Sequence, residues 1–160
     1  MRKKNILSFI AILALSIFNT CVANDAAPWG HATSANPEYL KQKVVYDVDA
    51  DSKEHLANIF SRTGYLSKLN DNDPFDTKII VVIHGDAIPF FSIKKTNQYR
   101  ELMKLAYSQT VSGIIEFRMC KASAKLRGFK AEDIHGFITM VPMADAEIVR
   151  LQQKGYAYMR

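Results

Sequence analysis

Cysteine is nearly missing from this 160-residue sequence, which holds Cys21 and Cys120 and no others. Two such distant residues provide neither a disulfide framework nor a Cys-x-x-Cys redox or zinc pair. The four histidines, His31, His55, His84 and His135, have no mutual spacing that resembles a metal site. No metal and no cofactor is therefore expected. Glycine is sparse as well, with seven residues. Gly85 stands alone after its apolar run, so no phosphate-cradling loop is present, and there is no Gly-x-Ser-x-Gly elbow. Nucleotide-dependent and serine-hydrolase chemistry thus lack support.

Long apolar runs are also missing. Residues 6–18 are uncharged over about thirteen positions, whereas a bilayer-spanning helix needs roughly 20. No permanent membrane anchor is expected. The run follows Arg2, Lys3 and Lys4 and leads into Cys21-Val22-Ala23, the order of basic region, apolar region and small-residue cleavage site of a signal peptide. Residues 1–23 are read as that peptide, cut after Ala23 or, second, after Ala26. Cys21 as the lipid-bearing residue of a lipoprotein is disfavoured, because Phe18-Asn19-Thr20 lacks the aliphatic and small residues of such sites. A periplasmic or secreted location follows. Removing three bases and no acid leaves 18 Lys and Arg against 16 Asp and Glu. So small a surplus makes no case for nucleic acid or an anionic surface as partner.

Residues 24–42 contain two prolines and no apolar period, and read as an arm in which Trp29 is a surface staple. Residues 43–160 suffice for one domain with a core. Val44-Val45-Tyr46-Asp47-Val48 predicts a strand, followed by a helix with Leu56, Ile59, Phe60, Leu66 and Leu69 on one face. The continuous run from Ile79 through Ile83 predicts a strand buried on both faces, the central one. Beyond a loop through Pro89, Thr96-Asn97 are the expected caps of a helix that turns Tyr99, Leu102, Met103 and Ala106 inward. Residues 114–120 predict a third strand, 121–127 a short helix closed by Gly128, and 137–141 a fourth strand. A helix follows with Asp145 and Glu147 in its first turn, and a short fifth strand covers residues 156–159. Such alternation implies an α/β fold with a mostly parallel sheet of about five strands, covered by helices on both sides.

In such a sheet the site lies beyond the carboxyl ends of the strands. His84 and Gly85 end the second strand, and Cys120 ends the third. A thiol at a helix start faces unpaired backbone N–H groups, and Arg118 and Lys121 would add positive charge if they turned toward the sulfur. Cys120 is otherwise a small buried gap-filler. Glu116 and Arg118 share one face of the third strand, and Ile115, Phe117 and Met119 the other. A polar face of this kind belongs to a pocket or interface, or is satisfied by a simple Arg–Glu pair. His84 either assists proton transfer or bonds to backbone.

The stretch from Cys120 to Gly128, Val81-Val82-Ile83-His84-Gly85, and the ending Val149 to Tyr158 together resemble the DsrE/DsrF-like sulfur-relay family. The resemblance covers about residues 43–160. It implies a three-layer α/β/α fold, assembly into homo-oligomeric trimers or hexamers, and a persulfide carried on Cys120. From the strand-end reading, Arg118 and Lys121 are expected to favour the anionic sulfur, and His84 and Gly85 to line the pocket. Sulfur donor and acceptor remain unnamed. The contrasting reading is a non-catalytic module that binds a small ligand or protein in the same cleft, with a structural Cys120. A third is a redox sensor joining subunits through Cys120.

Overall fold

A computed structural model describes residues 29–160. The segment read as a signal peptide, with Cys21, lies outside the described residues. Residues 29–42 carry no helix or strand, and Trp29 is exposed. The domain spans Pro37–Arg160.

Its five strands are β1 (Lys43–Val48), β2 (Lys78–Ile83), β3 (Ile115–Cys120), β4 (Ile138–Val141) and β5 (Ala157–Met159). They form one sheet in the order β4-β3-β2-β1-β5, with every pairing parallel. β2 is the central strand, as its unbroken β-branched run requires. Ile79 through Ile83 have no exposed surface, which suits a strand with neighbours on both sides and layers on both faces. The helices are α1 (Lys53–Leu69), α2 (Arg100–Thr110), α3 (Lys121–Leu126) and α4 (Ala144–Gln153).

Strand alternation divides the core in two. Tyr46, Val81, Phe117 and their same-face neighbours pack with Phe60 of α1 and Met103 of α2. Phe60 meets Phe117 edge-on at 5.4 Å between ring centroids and Phe91 at 6.3 Å, a favoured aromatic geometry. On the opposite face Val45, Ile80, Val82 and Cys120 pack with Ile148 and Leu151 of α4. One face thus takes two long helices, the other a single helix.

Helix α1 starts where Ser52 Oγ accepts from His55 N at 3.2 Å. It ends at Asn70, whose side-chain amide donates to the Leu66 carbonyl at 2.8 Å. Asp71 and Asn72 then take positive φ and turn the chain away. Two local expectations change. Leu69 is exposed, while Thr63 and Ser67 are buried. At 3.6 residues per turn Leu69 falls roughly 140° from the Leu56 direction, whereas Thr63 and Ser67 flank it. Nor do Thr96 and Asn97 cap α2. A 3-10 segment at Ile93–Lys95 and a turn use up those residues, and Tyr99 holds the cap position without a side-chain bond. The loop before them is itself a 3-10 segment, Gly85–Phe91, which delivers Phe91 to the core.

Candidate functional site

The alternation of β3 sends Phe117 and Met119 to the aromatic layer and Glu116, Arg118 and Cys120 to the α4 side. Cys120 is at once the last residue of β3 and the N-cap of α3. It is 5% exposed, and its Sγ accepts from the backbone N–H of Ser123 at 3.3 Å. The start of α3 is tied to the loop before α4 by Ala122 N donating to the Pro142 carbonyl at 3.2 Å. The cysteine therefore sits in a fixed strand-to-helix corner.

Ser123 connects this corner to the end of β2. Its hydroxyl oxygen accepts from Gly85 N at 3.0 Å and from Arg127 Nη1 at 3.3 Å. Arg127 Nη2 also donates to Asp86 at 2.8 Å, and Asp86 N donates to Asp49 at 2.6 Å. Gly85 has φ +55, and a Cβ added there would lie 1.9 Å from Asp49 Oδ1. Glycine takes this φ at no steric cost, and a side chain there would displace the Asp49 carboxylate.

His84 is the residue after β2. Its N–H donates to the Val48 carbonyl at 3.0 Å, and its ring Nε2 lies 2.7 Å from Asp47 Oδ1. The other oxygen of Asp47 accepts from the Tyr158 hydroxyl at 2.6 Å. That bond, with burial and the carboxylate charge, raises the Tyr158 phenol above its ordinary pKa. β1, β2 and β5 thus supply one hydrogen-bonded group at the sheet's carboxyl end.

Arg118 lies two residues before Cys120, but its guanidinium is held elsewhere. It donates to Glu116 at 2.6 Å and to Glu147 of α4. Lys78 also pairs with Glu116, and Arg150 donates to Glu147 through two nitrogens at 2.8 and 2.6 Å. For Glu147 the Arg150 hydrogen bonds are the main cause of a lowered pKa, with Arg118 adding to them against the opposing effect of burial. For Glu116 burial is outweighed by Lys78 and Arg118, with the same net direction. The polar face of β3 is accordingly satisfied by an ionic network reaching α4. Lys121 is exposed on the first turn of α3.

The structure therefore brings Cys120, Gly85 and His84 to one end of the sheet. Arg118 shares their face but spends its charge on carboxylates. Ser123, Asp47 and Tyr158 were not anticipated. Ser123, three residues after a strand-ending cysteine, carried a local signal, whereas the Asp47–Tyr158 contact depends on the pairing of β1 with β5. Two clefts between α1 and α2, of about 450 and 600 Å³, lie apart from Cys120, which lines neither. Among the described residues no cluster of ligands could hold a metal ion.

The DsrE/DsrF-like family model matches residues 43–160. A search of curated proteins finds no match. Among solved structures, a protein of unknown function from Methanobacterium thermoautotrophicum, MTH1491, superposes with a TM-score of 0.60 at 20% identity, over 75% of this chain and 99% of that one. That likeness shows the shared fold, an α/β domain with an all-parallel five-stranded sheet flanked by helices.

Proposed function

Because the chain belongs to the DsrE/DsrF-like family, a membership that implies a sulfur-relay type of role, we propose that it is an exported sulfur carrier holding a persulfide on Cys120. The observation that carries this reading is the Ser123 N–H aimed at Sγ at 3.3 Å. A preformed donor of that kind suits a sulfur that must bear negative charge as nucleophile and as persulfide. Gly85 N–H fixes Ser123 in place, and His84 stands at the neighbouring strand end. Lys121, exposed at the start of α3, adds positive charge near the corner, whereas Arg118 is committed to Glu116 and Glu147. The basic, apolar and small-residue order of the first 23 residues supports export, and assembly is into a homotrimer or hexamer.

One observation favours a second reading, a non-catalytic binding module. Cys120 is 5% exposed and packs in the apolar cluster of Val45, Ile80 and Leu151, as a structural cysteine would. Polysulfide treatment followed by intact-mass measurement separates the two. A reversible gain of ~32 Da per sulfur atom, absent in Cys120→Ser, supports the carrier. A Cys120 that stays unmodified in the native protein overturns it.

A further inference from the structure

The parallel register aligns Ile83 with Met119 and Val48 with Ile83. His84 and Cys120 are the next residues on adjacent strands, and Cys120 shares its sheet face with Val82 and Val45. Alternation sets Asp47 on that same face of β1, and β5 pairs with β1 so that Tyr158 aligns with Val45. Cys120 and His84 are thus level at the carboxyl end of the sheet, while Asp47, opposite Val82, and Tyr158, opposite Val45, step back along the same face in a diagonal across four strands. Three of the four are joined, by the 2.7 Å His84–Asp47 and 2.6 Å Tyr158–Asp47 contacts.

A carboxylate only accepts hydrogen bonds, so the His84 nitrogen that meets Asp47 is the protonated one. That leaves Nδ1 as the free basic position of the neutral ring. Tyr158 donates to the second oxygen of Asp47, which favours the orientation that meets the imidazole. A histidine that served only as a strand end would need its backbone bond to Val48 and no such support.

We infer that His84 is the proton-transfer group for sulfur uptake at Cys120, and that Asp47 and Tyr158 are the positioning residues that hold it. The inference rests on the sulfur-carrier reading and assigns the proton in it. The donor is a low-molecular-weight or protein persulfide, R–S–SH. His84 takes the Cys120 thiol proton, and the thiolate attacks the outer sulfur. The new Sγ–S bond forms as the R–S–S bond breaks, and its electron pair leaves on the donor's inner sulfur. His84 returns the proton to that leaving thiolate, giving R–SH and the Cys120 persulfide, with no net oxidation or reduction. Asp47 stabilises the transient imidazolium.

Other charged groups around the ring are accounted for. Asp49, level with His84 on the neighbouring strand, accepts from Asp86 N, and Asp86 is paired with Arg127. On α4, Glu147 is committed to Arg118 and Arg150, and Asp145 and, on α3, Lys121 are exposed. Asp47 is the acidic group bonded to the imidazole.

The test measures the rate of Cys120 persulfidation by glutathione persulfide against pH, using the purified protein and intact-mass detection. The wild-type rate should show a pH step from the group that takes the thiol proton. His84→Gln should erase the step and slow uptake about 10²-fold near neutrality. Asp47→Asn should slow it roughly tenfold, and Tyr158→Phe, the mildest change, by less, both with an altered profile. Circular dichroism checks that each variant is folded, and the Asp47 and Tyr158 variants carry the test if His84→Gln is not. Variants with the wild-type rate and profile would overturn the relay and leave the carrier intact. A wild-type protein that takes up no sulfur would overturn both.

Discussion

Arg118 of β3 donates to Glu147 of α4, which is 8% exposed although charged. The pair joins the strand that ends in Cys120 to the helix that covers it. Removing one member leaves a buried charge with fewer partners, which costs more than the intact pair contributes. Glu147→Ala should therefore destabilise the domain by about 2 kcal/mol in urea unfolding. Arg118→Met with Glu147→Leu should recover most of that loss. If the double variant still takes up sulfur at the wild-type rate, Arg118 acts on the fold and not on the thiol.

The same network sets an acid limit. The Glu116 and Glu147 carboxyls are both held below their ordinary value of 4.5. A carboxyl lowered on folding contributes stability that is fully present above the unfolded value and is lost as pH falls through the folded one. The contribution of these two carboxyls to the urea midpoint should be flat from neutrality down to about pH 5 and decline below about 4.5. Glu147→Gln should lower the midpoint at neutral pH and flatten the decline. A steeper decline in that variant would contradict the assignment.

Gly85 offers a test of the corner itself. Its positive φ strains alanine, and the Asp49 carboxylate 1.9 Å from an added Cβ would have to swing away. Gly85→Ala should cost about 1–3 kcal/mol and weaken the Gly85-to-Ser123 bond that fixes the donor to Sγ. Ser123→Ala removes that acceptor without backbone strain. It should leave thermal stability within about 1 kcal/mol and slow sulfur uptake, since the Ser123 N–H loses its anchor.

Much of this was legible because periodicity reports burial. The β2 run had no polar interruption and is central, and the Glu116/Arg118 alternation located a polar face on β3 that the structure retains. Leu69 misled because an apolar residue was counted without its helical angle, while the small polar Thr63 and Ser67 were passed over. Each makes a local bond, Thr63 to the Phe60 carbonyl and Ser67 to Asn72, which allows it to be buried. Cys120, His84 and Gly85 could be found because strand ends are marked by local sequence. The clamp between Asp47 and Tyr158 could not, since its members are 111 residues apart and meet through an edge pairing that no local pattern records.

The two roles open to Cys120 are read by different measurements on the same substitutions. A gap-filling cysteine is judged by volume and polarity. Cys120→Ala then loses a few contacts with Val45, Ile80 and Leu151, and Cys120→Ser buries a hydroxyl beside them. Each should cost about 1 kcal/mol, with serine partly compensated because it too can accept from Ser123 N–H. A sulfur carrier is judged by nucleophilicity, so both substitutions should abolish the persulfide adduct at any stability. Thermal melts and intact mass on the same samples separate these effects. Folded Cys120→Ser protein that no longer gains sulfur would assign the loss to chemistry, whereas an adduct persisting in that variant would move the sulfur to another residue.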